Sequence, residues 1–329
     1  MGEDNGDTGN PLRRRLWTAL KLLCTGVILF LVARHIRGQW SQLTGHDWSL
    51  DLTMLGLAFP LSFAALVYSG VVWALQVSSA GVDAPPTRVA AGSLLSRLGK
   101  YLPGKVWAVL GRGYFLSREG TEMSSALGLS ILAQGVVIVA GAIWALPFIT
   151  VIAGHRVWLL AVLGAIPPLG LASLHPRVIE VVSGPFFRLM GRPPLRIDLS
   201  FRGVLYWVFL TLTRRVPTGL AFCAFAATFA GVGWADVPLL IGTLSAAGVI
   251  GLLAVFAPGG LGVREGMLMI ALPTVMGAEE AIAVAVGWRL WMTVIELLCA
   301  GAAWGWLRWG GALTEDVPSA ELDTTCPAD

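Results

Sequence analysis

Apolar runs of membrane-crossing length recur along this chain near residues 16–34, 52–77, 121–150, 157–174, 203–230 and 281–308. A hydrocarbon core about 30 Å thick takes roughly 20 apolar residues per helix. Inside it, backbone polar groups must be satisfied within a helix or a closed barrel. The alternating ten-residue pattern of a barrel is absent, so the runs are read as helices. Composition agrees: 56% of residues are apolar and 13% charged, against about a quarter charged in soluble proteins. Arg13, Arg14 and Arg15 precede the first run, which is too long for a signal-peptide core and has no small-residue cleavage site. It is therefore expected to stay as a helix.

Two further apolar regions, 86–118 and 237–276, are broken at Pro103-Gly104 and at Pro258-Gly259-Gly260. The first break leaves two pieces of about 15 residues, each about 22 Å long as a helix and too short to cross. Proline removes a backbone donor and clashes with the preceding turn, and glycine permits the reversal, so each region is expected to form a re-entrant hairpin. Such backbone survives at membrane depth only against protein or a wet cavity.

A shift of 155 residues lays Pro103 on Pro258, Gly104 on Gly259, Ala91 on Ala246 and Leu98 on Leu253. The same shift carries 52–77 onto 207–232 and 121–150 onto 276–305, as a diverged duplication would. Basic residues before the first run, Arg88 and Arg118 beside the first hairpin, and Arg177, Arg188, Arg192, Arg196 and Arg202 mark cytoplasmic segments. Asp236, Glu279 and Glu280 flank the second hairpin, which is expected to enter from the far side.

The expected fold is an all-α polytopic protein of the cell membrane, with six transmembrane helices plus two Pro-Gly re-entrant helical hairpins in an inverted repeat. Residues 1–15 form a flexible cytoplasmic tail, 16–150 the first repeat with its hairpin at 86–118, 151–311 the second with its hairpin at 237–276, and 312–329 a flexible tail. Paired interrupted segments of this kind point to a transport site near the midplane. A rival topology lets 237–257 cross fully and places the C-terminus outside.

Charge inside the apolar runs carries the functional expectation. Arg214 and Arg215 stand at the centre of the fifth run, beside Pro217, where each arginine costs about 2.5–3.5 kcal/mol. Glu296 lies mid-way along the last run, two turns after Arg289 on the same face, and Gln134 mid-way along the third. Lys100, Lys105 and Arg112 surround the first hairpin tip, and Arg264 and Glu265 the second. Together they are expected to line a cationic cavity. Half-helix N-termini after Pro103-Gly104 and after Pro258-Gly259-Gly260, with Gly262 close by, would add free N–H groups, and a phosphate is the expected occupant. The competing account makes each charge half of a buried pair, for instance Glu296 with an arginine of the fifth run.

Other motifs carry less. Trp17, Trp40, Trp48, Trp158, Trp288, Trp304, Trp306 and Trp309 fall near run ends, as an interfacial belt would. Cys24, Cys223, Cys299 and Cys326 show no metal-type spacing. His35, His46, His155 and His175 are scattered, and Gly260, Gly262 and Gly266 miss the dinucleotide fingerprint by one residue. No cofactor and no metal are expected. The net charge of +3 is too slight for a nucleic-acid partner.

At "LGKYLPGKVWAVLGR" (98–112) and "APGGLGVREG" (257–266) the chain resembles the lysylphosphatidylglycerol synthase transmembrane-region family, which includes the flippase half of the multiple peptide resistance factor. The resemblance runs over about 16–308 and implies movement of an anionic or aminoacylated lipid between leaflets. It points to Pro103, Gly104, Lys105, Arg112, Pro258, Gly259, Gly260, Gly262 and Glu265, with Arg264 at an unspecified position of the pattern. Only about 20 residues follow the last run, so a soluble aminoacyl-transfer domain is not expected.

The leading expectation is a transporter, not an enzyme, that moves a phosphate-bearing lipid, such as a polyprenyl-phosphate sugar or a phospholipid, beside a lipid-modifying glycosyltransferase or synthase. Alternatives are an intramembrane glycosyl- or acyl-transferase using Glu265 and Glu296, or a membrane anchor for a lipid-synthesising enzyme through the loop 175–202.

Overall fold

The computed structural model describes residues 49–101, 106–153, 164–175, 199–254 and 262–309, with single positions at 156, 161, 178 and 260. The first expected crossing, both hairpin tips (Pro103, Gly104 and Lys105; Pro258 and Gly259), Trp17, Trp40, Trp48, Trp158, most of the basic loop and both tails lie outside the described residues.

Every described element is helical. The order is α1 (Leu52–Ser79), α2 (Pro86–Ser96) running on into a tight turn at Arg97–Tyr101, α3 (Trp107–Ser117), α4 (Met123–Trp144), α5 (Leu146–Ala153), α6 (Ile166–Ser173), α7 (Phe201–Ala227), a turn at Trp234–Asp236, α8 (Val237–Leu253), α9 (Val263–Ala271) and α10 (Ala278–Trp309). Local chemistry sets the starts. The Asp51 carboxylate accepts from the Thr53 and Met54 N–H groups to cap α1, and the Ser200 hydroxyl accepts from Gly203 N–H to cap α7. Prolines open α2 and α8, where a missing N–H costs nothing.

Four described segments are long and apolar enough to cross a bilayer: Leu52–Ser79, Met123–Trp144, Trp234–Leu253 and Ala278–Trp309. α7 has the length but carries Arg202, Arg214 and Arg215. The second hairpin region departs from two short arms. Its first arm gains the turn at Trp234–Asp236 and reaches 20 residues, about 30 Å and enough to cross. α3 and α9, at 11 and 9 residues, are about 16 and 14 Å long and cannot cross.

α1 and α7 lie side by side and antiparallel. Asp51 N–H bonds to Thr228 C=O (3.0 Å) at one end, Tyr68 Oη meets Thr213 Oγ1 (2.9 Å) in the middle, and Trp207 Nε1 donates to Ser79 Oγ (2.8 Å) at the other. Gln76 adds a bond to Thr211 Oγ1 at 3.0 Å. Around this pair the neighbours match in two sets: α1 packs on α2 as α7 on α8, α2 on α3 as α8 on α9, and α3 on α4 as α9 on α10. Across the centre, α2 meets α10 as α8 meets α4.

The apolar core has two main lobes. One gathers Phe222, Phe225, Leu240, Leu268 and Trp288 from α7 to α10; the other gathers Trp73, Leu116, Leu132, Val136 and Trp207 from α1, α3, α4 and α7. Trp288 therefore does not belong to an interfacial belt. It is buried against Phe222 and Phe225, three turns into α10. Trp304, Trp306 and Trp309 are exposed, as belt residues are.

Candidate functional site

The turn that ends α2 delivers three polar side chains to the middle of the bundle. Lys100 Nζ donates to Glu296 Oε1 on α10. Tyr101 Oη donates to Glu296 Oε2 at 2.7 Å and lies 3.1 Å from Thr293 Oγ1. Arg97 Nη1 donates to Ser69 Oγ on α1 at 3.2 Å. Glu296 is only 4% exposed, so the first hairpin is clasped to the last helix by a carboxylate shielded from solvent. On α3, Arg112 donates to Gln134 Oε1 of α4 at 3.2 Å and lies over the Trp73 ring, a neutral partner and an aromatic face.

The second hairpin is built around its own carboxylate. Gly262, with φ +79°, precedes α9, and its N–H donates to Glu265 Oε2 at 2.7 Å. The other oxygen, Oε1, accepts from Arg289 Nη1 of α10 at 3.3 Å. The expected free donor at this N-terminus is thus occupied by the helix's own third residue. Gly260 has φ +72°, and a Cβ there would lie 2.9 Å from the Gly251 carbonyl oxygen. Left-handed backbone and a close approach to α8 explain why the Pro-Gly-Gly-x-Gly stretch needs these glycines.

Beside α1, α4 and α8 runs α7. Arg214 and Arg215 are consecutive, so their side chains leave the helix about 100° apart. Arg214 lies within electrostatic reach of Arg97, Arg112 and Arg215; Arg215 within reach of Arg264 and Arg97. Two bare glycines seat the Arg215 guanidinium: Cβ atoms at Gly141 of α4 and Gly248 of α8 would lie 2.9 and 3.6 Å from it. Its Nε is buried without a hydrogen-bond partner. The Arg264 stem packs on Gly251, and Arg264 also senses Arg289, Glu265 and Glu296.

The pairing account is thus met in part, with different partners. Glu296 pairs with Lys100, not with an arginine of the fifth run, and Arg289, despite sharing its helix with Glu296, pairs with Glu265. Among the described residues no carboxylate lies within ion-pair distance of Arg97, Arg112, Arg214, Arg215 or Arg264. These five retain partial exposure. Seven cations thus share two carboxylates, leaving five positive charges unmatched.

Of the residues expected at the site, the structure brings together Lys100, Arg112, Gln134, Arg214, Arg215, Gly260, Gly262, Arg264, Glu265, Arg289 and Glu296. Pro103, Gly104, Lys105, Pro258 and Gly259 lie outside the described residues. Sequence reasoning missed Arg97, the cation within electrostatic reach of Arg112, Arg214, Arg215 and Lys100. Its signal was its spacing of three from Lys100, which puts both on one side of a tight turn.

An open, mainly apolar groove of about 360 Å³ lies between the end of α2 and α3, lined by Leu95, Gly99, Trp107, Leu110, Tyr114 and Phe115. It adjoins the turn that carries Arg97 and Lys100, so a polar interior and an apolar flank share one backbone segment.

The family model described as the lysylphosphatidylglycerol synthase TM region matches residues 18–300 of the chain. No curated protein matches it significantly.

Proposed function

Because the chain belongs to the lysylphosphatidylglycerol synthase transmembrane-region family, we propose that it is a lipid transporter, which carries an anionic phosphate-bearing lipid between leaflets through its cationic interior. The observation that carries this is the set of arginines at membrane depth without a carboxylate partner, Arg214, Arg215 and Arg264 above all. Structural ion pairing neutralises such charges; here they stay unmatched and partly accessible, as a binding site for an anion requires.

Two features support the transport mode. α1 and α7 correspond under the 155-residue shift and run antiparallel, which is how equivalent helices lie when an axis in the membrane plane relates two halves. In this account the chain is an inverted repeat whose hairpins close the site from opposite sides. The headgroup enters among the arginines while its tail lies along the groove beside Trp107 and Tyr114. The incoming phosphate competes with Glu296 for Lys100, so binding itself loosens the first hairpin from α10. The chemistry is movement alone; a glycosyltransferase or synthase that makes the lipid is the partner this activity calls for.

The test is purified protein in liposomes with headgroup-labelled phospholipid or polyprenyl-phosphate sugar, scoring leaflet accessibility and product formation together. Label should cross without covalent change, and Arg214→Ala should slow it at least about tenfold, the loss that follows from removing one charge-assisted contact. An Arg214→Ala protein that folds and moves lipid at the unaltered rate overturns the assignment.

A further inference from the structure

Contacts between three helices fix where Arg215 lies. Trp144 Nε1 of α4 donates to Leu212 C=O of α7 at 3.1 Å. Gly141 stands one turn before Trp144 and Arg215 one turn after Leu212, so the two pairs stack along one seam between α4 and α7. A Cβ at Gly141, which is buried, would lie 2.9 Å from Arg215 Nη2, closer than a side-chain carbon packs. The missing side chain at 141 is therefore what admits the guanidinium. On the opposite wall, a Cβ at Gly248 of α8 would meet nothing nearer than Arg215 Nη1 at 3.6 Å, an ordinary contact. Packing alone does not demand a glycine there. Under the 155-residue shift Gly141 falls on Glu296, where the chain carries a carboxylate of its own for Lys100. Arg215 is given none. Among the described residues no carboxylate lies within ion-pair distance of it, and its Nε is buried without a partner.

Resting on the transport reading above, we propose that Gly141 and Gly248 are specificity-determining positions, which hold Arg215 between two bare stretches of backbone so that the headgroup phosphate supplies the acid the protein withholds. With Nε sealed in the packing, the anion meets the terminal nitrogens. Nη1 and Nη2 span two non-bridging oxygens of one phosphodiester, the end-on form of the guanidinium fork. An unpaired guanidinium at membrane depth is costly, and binding of the phosphate removes that cost. An acidic side chain on either wall would satisfy the same fork from within and leave the phosphate nothing to neutralise. Lys100 must be released from Glu296 before it can serve a ligand, whereas Arg215 is ready without any exchange.

The experiment uses the full chain in dodecyl maltoside, a phosphate-free micelle, with decyl methyl phosphate as the probe and calorimetry as the readout. Gly248→Asp and Gly248→Asn add the same bulk at a wall with room for it and differ in charge. Asp should weaken binding at least about tenfold more than Asn. In Arg215→Gln protein that gap should shrink to about twofold or less, because the new carboxylate then has no guanidinium to neutralise. Gly141→Asp and Gly141→Asn repeat the comparison from α4, made with Val249→Ala because Val249 Cγ2 is the other atom a Cβ at 141 would strike. Equal losses in monodisperse Asp and Asn proteins overturn the proposal, since the glycines would then matter through bulk alone. So does a gap that persists undiminished in Arg215→Gln. Lipid crossing is scored separately in liposomes. No gap with crossing intact sinks this inference and spares the transport reading; a full, Arg215-dependent gap without any crossing does the reverse.

Discussion

The two Pro-Gly-interrupted regions, 86–118 and 237–276, hold their carboxylate contacts in different ways. Under the 155-residue shift Leu110 falls on Glu265, Gln134 on Arg289, Arg112 on Met267 and Gly141 on Glu296. In the second region Glu265 bonds the glycine that starts its own helix and the arginine of the next. The first region also bonds locally, Arg97 to Ser69 and Arg112 to Gln134, but its Lys100 and Tyr101 reach across to the Glu296 carboxylate of the last helix. A contact closed within one unit is scaffold, whereas a contact between units can be exchanged for a ligand. On the transport reading proposed above, the second region would therefore be the fixed wall of the site and the first its movable one.

The sharpest way to break that contrast is Glu265→Ala. Glu265 is 7% exposed, and its loss uncaps Gly262 and strips Arg289 of a carboxylate. Removing one member of a buried pair costs about 3–5 kcal/mol. Thermal unfolding in detergent should show the largest loss of stability in the site, with expression reduced. A Glu265→Ala protein that melts like the native one would mean that the second hairpin is not a wall.

Next comes Gly260→Ala. A side chain at φ +72° costs about 1–2 kcal/mol, and the new Cβ would press on the Gly251 carbonyl at 2.9 Å. The same unfolding measurement should place it below Glu265→Ala. Faster amide exchange confined to α8 and α9 would mark the strain as local.

Much of this architecture was legible in the residues. Met123 and Ala278, which start α4 and α10, are 155 residues apart, the spacing read from the Pro-Gly pairs. The charges marked as costly are those that converge. What stayed hidden depends on tertiary placement. Trp288 reads as a run-end tryptophan until α10 is seen to begin at Ala278 and put it in the core. The partner of Glu296 lies 196 residues away, where an arginine of the fifth run was the expected one. Arg97 went unmarked because its spacing of three from Lys100 acquires meaning only once the helix is seen to tighten after Ser96. The short polar stretch Trp234–Asp236 looks like a loop, yet its turn extends α8 to crossing length.

The smallest stability effect, and the most informative one for the contrast, is expected from Glu296→Gln. The substitution keeps the shape and the bond from Tyr101 while removing the charge that holds Lys100. The Lys100 side chain is 34% exposed, so the cation left behind is not stranded and the Tyr101 bond is kept, and the loss should fall below that of Glu265→Ala. Binding should move the other way. With its internal competitor neutralised, Lys100 is available to a phosphate, and affinity for the headgroup-labelled phospholipid should rise. A double-mutant cycle with Lys100→Met separates this from general loosening, since the gain must vanish when Lys100 is absent. If Glu296→Gln instead destabilised the fold as severely as Glu265→Ala, or weakened anion binding, the first hairpin would be as fixed as the second. The exchange of an internal carboxylate for a lipid phosphate would then have no structural basis.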